Sequence, residues 1–66
     1  MIRIKLENNT YWVYLNNGSA IPYDKGENNE GYYKALDLCR LRLGTTLKEN
    51  KIKVIKVPFI GLWLVW

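Results

Sequence analysis

Ten consecutive residues without a charged side chain, Val57 to Trp66, occupy the end of a chain only 66 residues long. They include Phe59, Trp63 and Trp66 among aliphatic residues, with Pro58 and Gly61 as the only breaks. Leaving such a run in water forfeits the main favourable term of folding. It must therefore be buried in the chain's own core, against a partner, or in a lipid interface. It is far too short for a spanning helix, which needs roughly 20 apolar residues.

The run is preceded by Ile52, Lys53, Val54, Ile55, Lys56 and Val57. Lysines among β-branched residues predict a strand over 51–57. Residues 59–66 either continue that strand or turn back as a fifth, after a bend near Pro58 or Gly61.

Upstream, Ile2, Ile4 and Leu6 alternate with Arg3 and Lys5, the period of a half-buried strand. Tyr11 to Leu15 is dense in aromatic and β-branched residues and reads as a second strand. Its period puts Tyr11, Val13 and Leu15 on one face and Trp12 and Tyr14 on the other. Asn17-Gly18 predicts a hairpin with a type I′ turn. The third strand, Ala20 to Tyr23, contains Pro22, which places it at a sheet edge. Asn28 or Asn29 is expected to cap a helix running to about Leu43, with Gly44 in its left-handed C-terminal position. Tyr32, Leu36, Cys39 and Leu43 share one stripe of that helix, with Ala35 beside them. Leu41 points away from the stripe. Thr46 to Glu49 has the spacing of a capping box, which predicts a short helical turn before the last strands.

The expected fold is thus α+β, a single domain over 1–66. A small antiparallel β-sheet of three to five strands packs against one amphipathic α-helix in the order β-β-β-α-β, with or without a further C-terminal strand. So small a domain without staples must use nearly every apolar residue it has.

Catalysis is poorly provided for. Histidine is absent, and Cys39 and Ser19 are each the only residue of their kind. The usual nucleophile–base pairs and Cys/His metal sites cannot be assembled. Asp24, Glu27 and Glu30 cluster in a polar loop with no apolar enclosure to shift a pKa. No catalytic, cofactor-binding or metal-binding residue is expected. The single cysteine excludes an internal disulfide, and Met1 to Glu7 has no apolar core of signal-peptide length, so a reducing, cytoplasmic setting is expected. Asn8-Asn9-Thr10 and Asn17-Gly18-Ser19 match the glycosylation sequon and read as turns.

Binding remains. Net charge is +4 and unevenly spread, with three cations against four carboxylates in 1–33 and seven against two in 34–66. A basic half favours anionic partners. The first reading is a small non-catalytic protein that docks on a macromolecular partner and modulates or inhibits it. Its hydrophobic contacts would be Leu41, Phe59, Trp63 and Trp66, residue types that anchor protein interfaces or close a homo-oligomer. A chain rich in Lys, Asn and Ile fits a phage or mobile-element inhibitor of a host enzyme or nucleic-acid-processing complex. The alternative is a DNA- or RNA-binding module that attracts phosphate through Lys34, Arg40, Arg42, Lys51, Lys53 and Lys56. Trp12 and Tyr14 would then be its stacking platform, unless they pack beneath the C-terminal run. Peripheral membrane attachment through Phe59, Trp63 and Trp66 is a third and less favoured reading.

Overall fold

The computed structural model describes residues 1–43 and 52–66. Strands β1 (Ile2–Glu7), β2 (Thr10–Tyr14) and β3 (Ala20–Asp24) are followed by helix α1 (Glu30–Arg42), then β4 (Val54–Val57) and β5 (Leu62–Val65). All five strands form one antiparallel sheet in the order β3-β2-β1-β5-β4. The expected α+β fold is present in its five-stranded form, because the C-terminal run turns back at residues 58–61. β5 then pairs with β1, setting Ile4 opposite Trp63 and Ile2 opposite Val65. Gly61 supports this turn by accepting a hydrogen bond from the Leu6 N–H at 2.8 Å.

The alternation along β1 decides which face is core. Ile2 and Ile4 are buried and Arg3 and Lys5 exposed. Through the pairing registers, Tyr11, Val13, Trp63 and Val65 share the buried face with them. The helix lies on this face. Ala35, Leu36 and Cys39 close the core, and Tyr32 and Leu43 pack against its margin, as their spacing predicts. Burial pushes the Cys39 thiol up to about 11, so at neutral pH it stays protonated and is a poor nucleophile.

Local turn chemistry departs from expectation in two places. The residues after β2 do not form a type I′ turn at Asn17-Gly18, since only Gly18 there has a positive φ (91°). Gly18 N–H donates to Leu15 C=O and Leu15 N–H to Ser19 C=O, making a three-residue loop that ends on a left-handed glycine. Two consecutive positive φ angles occur instead at Asn8 and Asn9, between β1 and β2. Asparagine tolerates that backbone region, so an Asn-Asn pair can carry a type I′ turn.

The helix cap is the second departure. Asn29 holds the N-cap position, but with φ 60° and no side-chain bond to the helix. Its Oδ1 accepts from the Tyr11 hydroxyl at 2.5 Å instead. The helix is entered through the main chain, with Gly31 N–H on Lys25 C=O at 3.0 Å and Tyr32 N–H on Asn29 C=O at 3.2 Å. Glu30 in the first turn and Arg40 and Arg42 in the last complement the helix dipole. Gly44, Thr46 to Glu49 and Lys51 lie outside the described residues. Among the described residues, no helix is long and apolar enough to cross a membrane.

Candidate docking face of the sheet

A helix that covers one face of a sheet leaves the other face open. On this outer face the registers align Ala20, Tyr14, Arg3, Leu64 and Ile55 in one row across the five strands. A second row carries Pro22, Trp12, Lys5, Leu62 and Val57. Aromatic residues occupy β2, cations the central β1, and aliphatic residues β5 and β4. Trp12, Tyr14, Leu62, Leu64 and Val57 are half-buried by their neighbours, and Ile55 is exposed.

The cations sit among apolar groups. The Arg3 guanidinium stands 5.6 Å from the centre of the Tyr14 ring, within cation–π range. Lys5 Nζ lies 3.9 Å from a Glu7 carboxylate oxygen, a solvent-exposed pair of little energetic weight. Ile60 folds up from the β4–β5 turn to complete an open hollow of about 490 Å³ with Arg3, Lys5, Tyr14 and Leu62.

The turn itself carries the most exposed apolar side chain among the described residues. Phe59 is fully solvent-exposed and has φ 72°. Pro58 followed by a residue of positive φ is the pattern of a type II turn, in which the second central position ordinarily requires glycine. A bulky side chain in this region costs about 1–2 kcal/mol, and here it recovers nothing by packing. Phe59→Gly is accordingly expected to stabilise the fold by roughly 0.5–1 kcal/mol, after the extra chain entropy of glycine is subtracted. Urea unfolding measures this; a variant less stable than the parent would show that Phe59 packs.

Among the described residues, those expected from sequence to form a nucleic-acid surface do not all share one face. Trp12 and Tyr14 are on the outer face, flanked by Lys5 and Arg3 rather than covered by the C-terminal run, because β1 separates β2 from β5. Lys53, opposite Trp66, falls on the same face by register, continuing the alternation past Val54. Lys34, Arg40 and Arg42 belong to the helix, on the far side of the sheet. Arg40 is moreover paired with Asp37 at 2.9 Å. Lys56 is on the helix side, its Nζ 5.8 Å from the Trp63 ring centre.

The expected hydrophobic contacts divide as well. Leu41 is 69% exposed on the helix, Phe59 stands at the turn, and Trp66 is 41% exposed at the end of β5. Trp63 points inward, with its ring centre 5.6 Å from that of Tyr11 and 5.4 Å from that of Tyr32. Sequence reasoning passed over Arg3, Lys5, Leu62 and Leu64 as surface residues. The alternation of Ile2 to Leu6 already turned Arg3 and Lys5 away from the core; their neighbours depended on strand order.

No family model, no curated protein and no solved structure matches this chain.

Proposed function

We propose that this chain is a non-catalytic binding module that docks through the outer face of its sheet on a protein partner and modulates or inhibits it. The observation that carries this reading is the pair of residue rows described above. They hold aromatic, aliphatic and Arg side chains together, uncovered by the helix, the mixture that anchors protein interfaces. Arg3 and Lys5 at the centre call for a partner surface that is apolar with carboxylates opposite these two cations. Four aliphatic side chains on β4 and β5 fit a protein better than a nucleic acid, whose bases stack on rings. The lone buried thiol fits a reducing, cytoplasmic setting.

The test compares Tyr14→Ala/Leu62→Ser with Leu41→Ser as immobilised baits, followed by titration of the purified captured protein. The face variant is expected to lose roughly 30-fold or more in affinity, the scale of interface hot spots, while Leu41→Ser binds like the parent. A partner held equally by all three, or lost only with Leu41→Ser, sinks the reading.

A second reading has its own support in Arg3 over Tyr14 beside Trp12 and Lys5, a stacking platform with cations for single-stranded nucleic acid. Labelled single-stranded DNA and RNA decide it. Binding at low salt that weakens steeply with added salt and is lost in Trp12→Ala would replace the protein reading.

A further inference from the structure

The two edges of the sheet differ in what they can accept. At the two ends of the β2–β3 pairing, Leu15 N–H donates to Ser19 C=O and Lys25 N–H to Asn9 C=O. Antiparallel pairs alternate between bonded and non-bonded, so Trp12 and Pro22 form a non-bonded pair. The Pro22 nitrogen therefore faces off the sheet, where it blunts that edge.

The β4 edge carries no such block within the strand. Lys53 and Trp66 exchange both main-chain bonds, at 2.7 and 3.0 Å. By the same alternation, Ile55 and Val57 bond to β5, while Val54 and Lys56 direct their N–H and C=O groups outward. β4 is an edge strand, and among the described residues no main-chain bond to another strand takes up that side.

We infer that the β4 edge accepts an extended acidic segment of a partner protein as a sixth, antiparallel strand. Charge selects the occupant. The edge reads Lys53-Val54-Ile55-Lys56, so a complementary strand carries acidic residues opposite the two lysines and apolar residues opposite Val54 and Ile55. That pattern, acidic–apolar–apolar–acidic, puts one acid on each face of the sheet. Opposite charges facing each other across a ladder are favourable and like charges unfavourable. A second copy of this chain would set Val54 or Lys56 opposite Val54 or Lys56 of the other copy, since within β4 only these two positions point outward. Four lysines would then share one seam whose strands carry no carboxylate. Strand addition of this kind draws affinity from the main chain and specificity from alternate side chains. The inference does not rest on the outer face, because the edge and the face are separate surfaces.

The experiment titrates the full chain with the capped peptide Ser-Thr-Glu-Val-Val-Glu-Thr-Ser and with a control in which both Glu are Lys. Amide exchange is followed by NMR. Slowed exchange at the Val54 and Lys56 amides is expected, with binding roughly tenfold weaker for the lysine peptide. Lys53→Glu/Lys56→Glu should reverse that preference, and the two peptides on the parent protein suffice if this variant does not fold. Unchanged exchange at both amides, equal binding of the two peptides, or protection of Trp12 and Leu62 instead would overturn the inference. So would a dimer by light scattering that protects Val54 and Lys56 without peptide. An edge that fails leaves the outer-face reading standing, and face variants that fail leave the edge untouched.

Discussion

Replacing Gly31 with alanine is expected to cost this fold about 2–4 kcal/mol, the scale of overpacking against a site that cannot yield. A methyl group there would sit 2.1 Å from the Asp24 carbonyl oxygen, 2.8 Å from its carbon and 3.1 Å from Lys25 Cα. All three are main-chain atoms, so no side chain can swing aside. The backbone is also tied on both sides: Gly31 N–H bonds to Lys25 C=O, and Lys25 N–H to Asn9 C=O. Moving the helix away would uncover Ala35 and Leu36, which lie further along it in the core. A domain of this size holds only roughly 3–10 kcal/mol in total, so Gly31→Ala should lower the melting temperature by about 8 °C or more, at roughly 4–8 °C per kcal/mol. Gly18→Ala separates crowding from backbone strain. Beyond its chain neighbours, no atom lies within 4 Å of its would-be methyl, but its φ is 91°, so a smaller loss of about 1 kcal/mol is expected. Thermal unfolding of the two variants decides it. Equal losses would mean that contact with Asp24 is not what demands glycine at 31.

Gly31 also marks a limit of reading from sequence. The polar stretch from Asp24 to Asn29 signals a loop, and Asn29 signals a cap. Nothing local says that the helix backbone will press on Asp24, since that closeness arises only when α1 packs on β2 and β3. Asn29 holds the N-cap position that its type and place predict, but its side chain bonds a tyrosine 18 positions away instead of the helix, a partner that local capping rules do not weigh. The features that were legible are those with a period. Ile2, Ile4, Tyr11 and Val13 alternate inward, Ala35, Leu36 and Cys39 fall on one helical stripe, and Pro22 sits at an edge as its missing N–H requires. Periodicity assigns a face to each residue but never a neighbouring strand. The candidate docking face depends on β1 lying between β2 and β5, and the β1–β5 pairing joins residues near opposite ends of the chain. So Trp12 and Tyr14 could be put on one strand face from sequence, while whether that face was the outer one, and their grouping with Arg3, Lys5 and Leu62, could not.

Trp63→Ala and Trp66→Ala should part company, although the two residues lie three positions apart in the same apolar run. Trp63 faces the core opposite Ile4, and its ring bridges Tyr11 on the sheet to Tyr32 on the helix. The two tyrosines also touch each other, with ring centres 5.7 Å apart, so the three rings join sheet to helix. Removing the indole opens a cavity at the middle of that junction. A fully buried Trp truncated to Ala costs roughly 3–5 kcal/mol; Trp63 is half-buried, and about 2–4 kcal/mol is expected. Trp66 contributes differently. Its main chain exchanges two bonds with Lys53, which alanine retains, while its side chain is 41% exposed. Trp66→Ala should therefore change stability by less than about 1 kcal/mol, the range of surface substitutions. Urea unfolding of both variants gives the comparison. A Trp63→Ala protein as stable as the parent would return Trp63 to the surface available to a partner. The expected result instead divides the C-terminal run by function. Its inward residues, Trp63 and Val65, complete the core that holds sheet to helix. Its outward residues, Leu62, Leu64 and Trp66, with Phe59 and Ile60 at the turn, form an apolar surface that the helix does not cover.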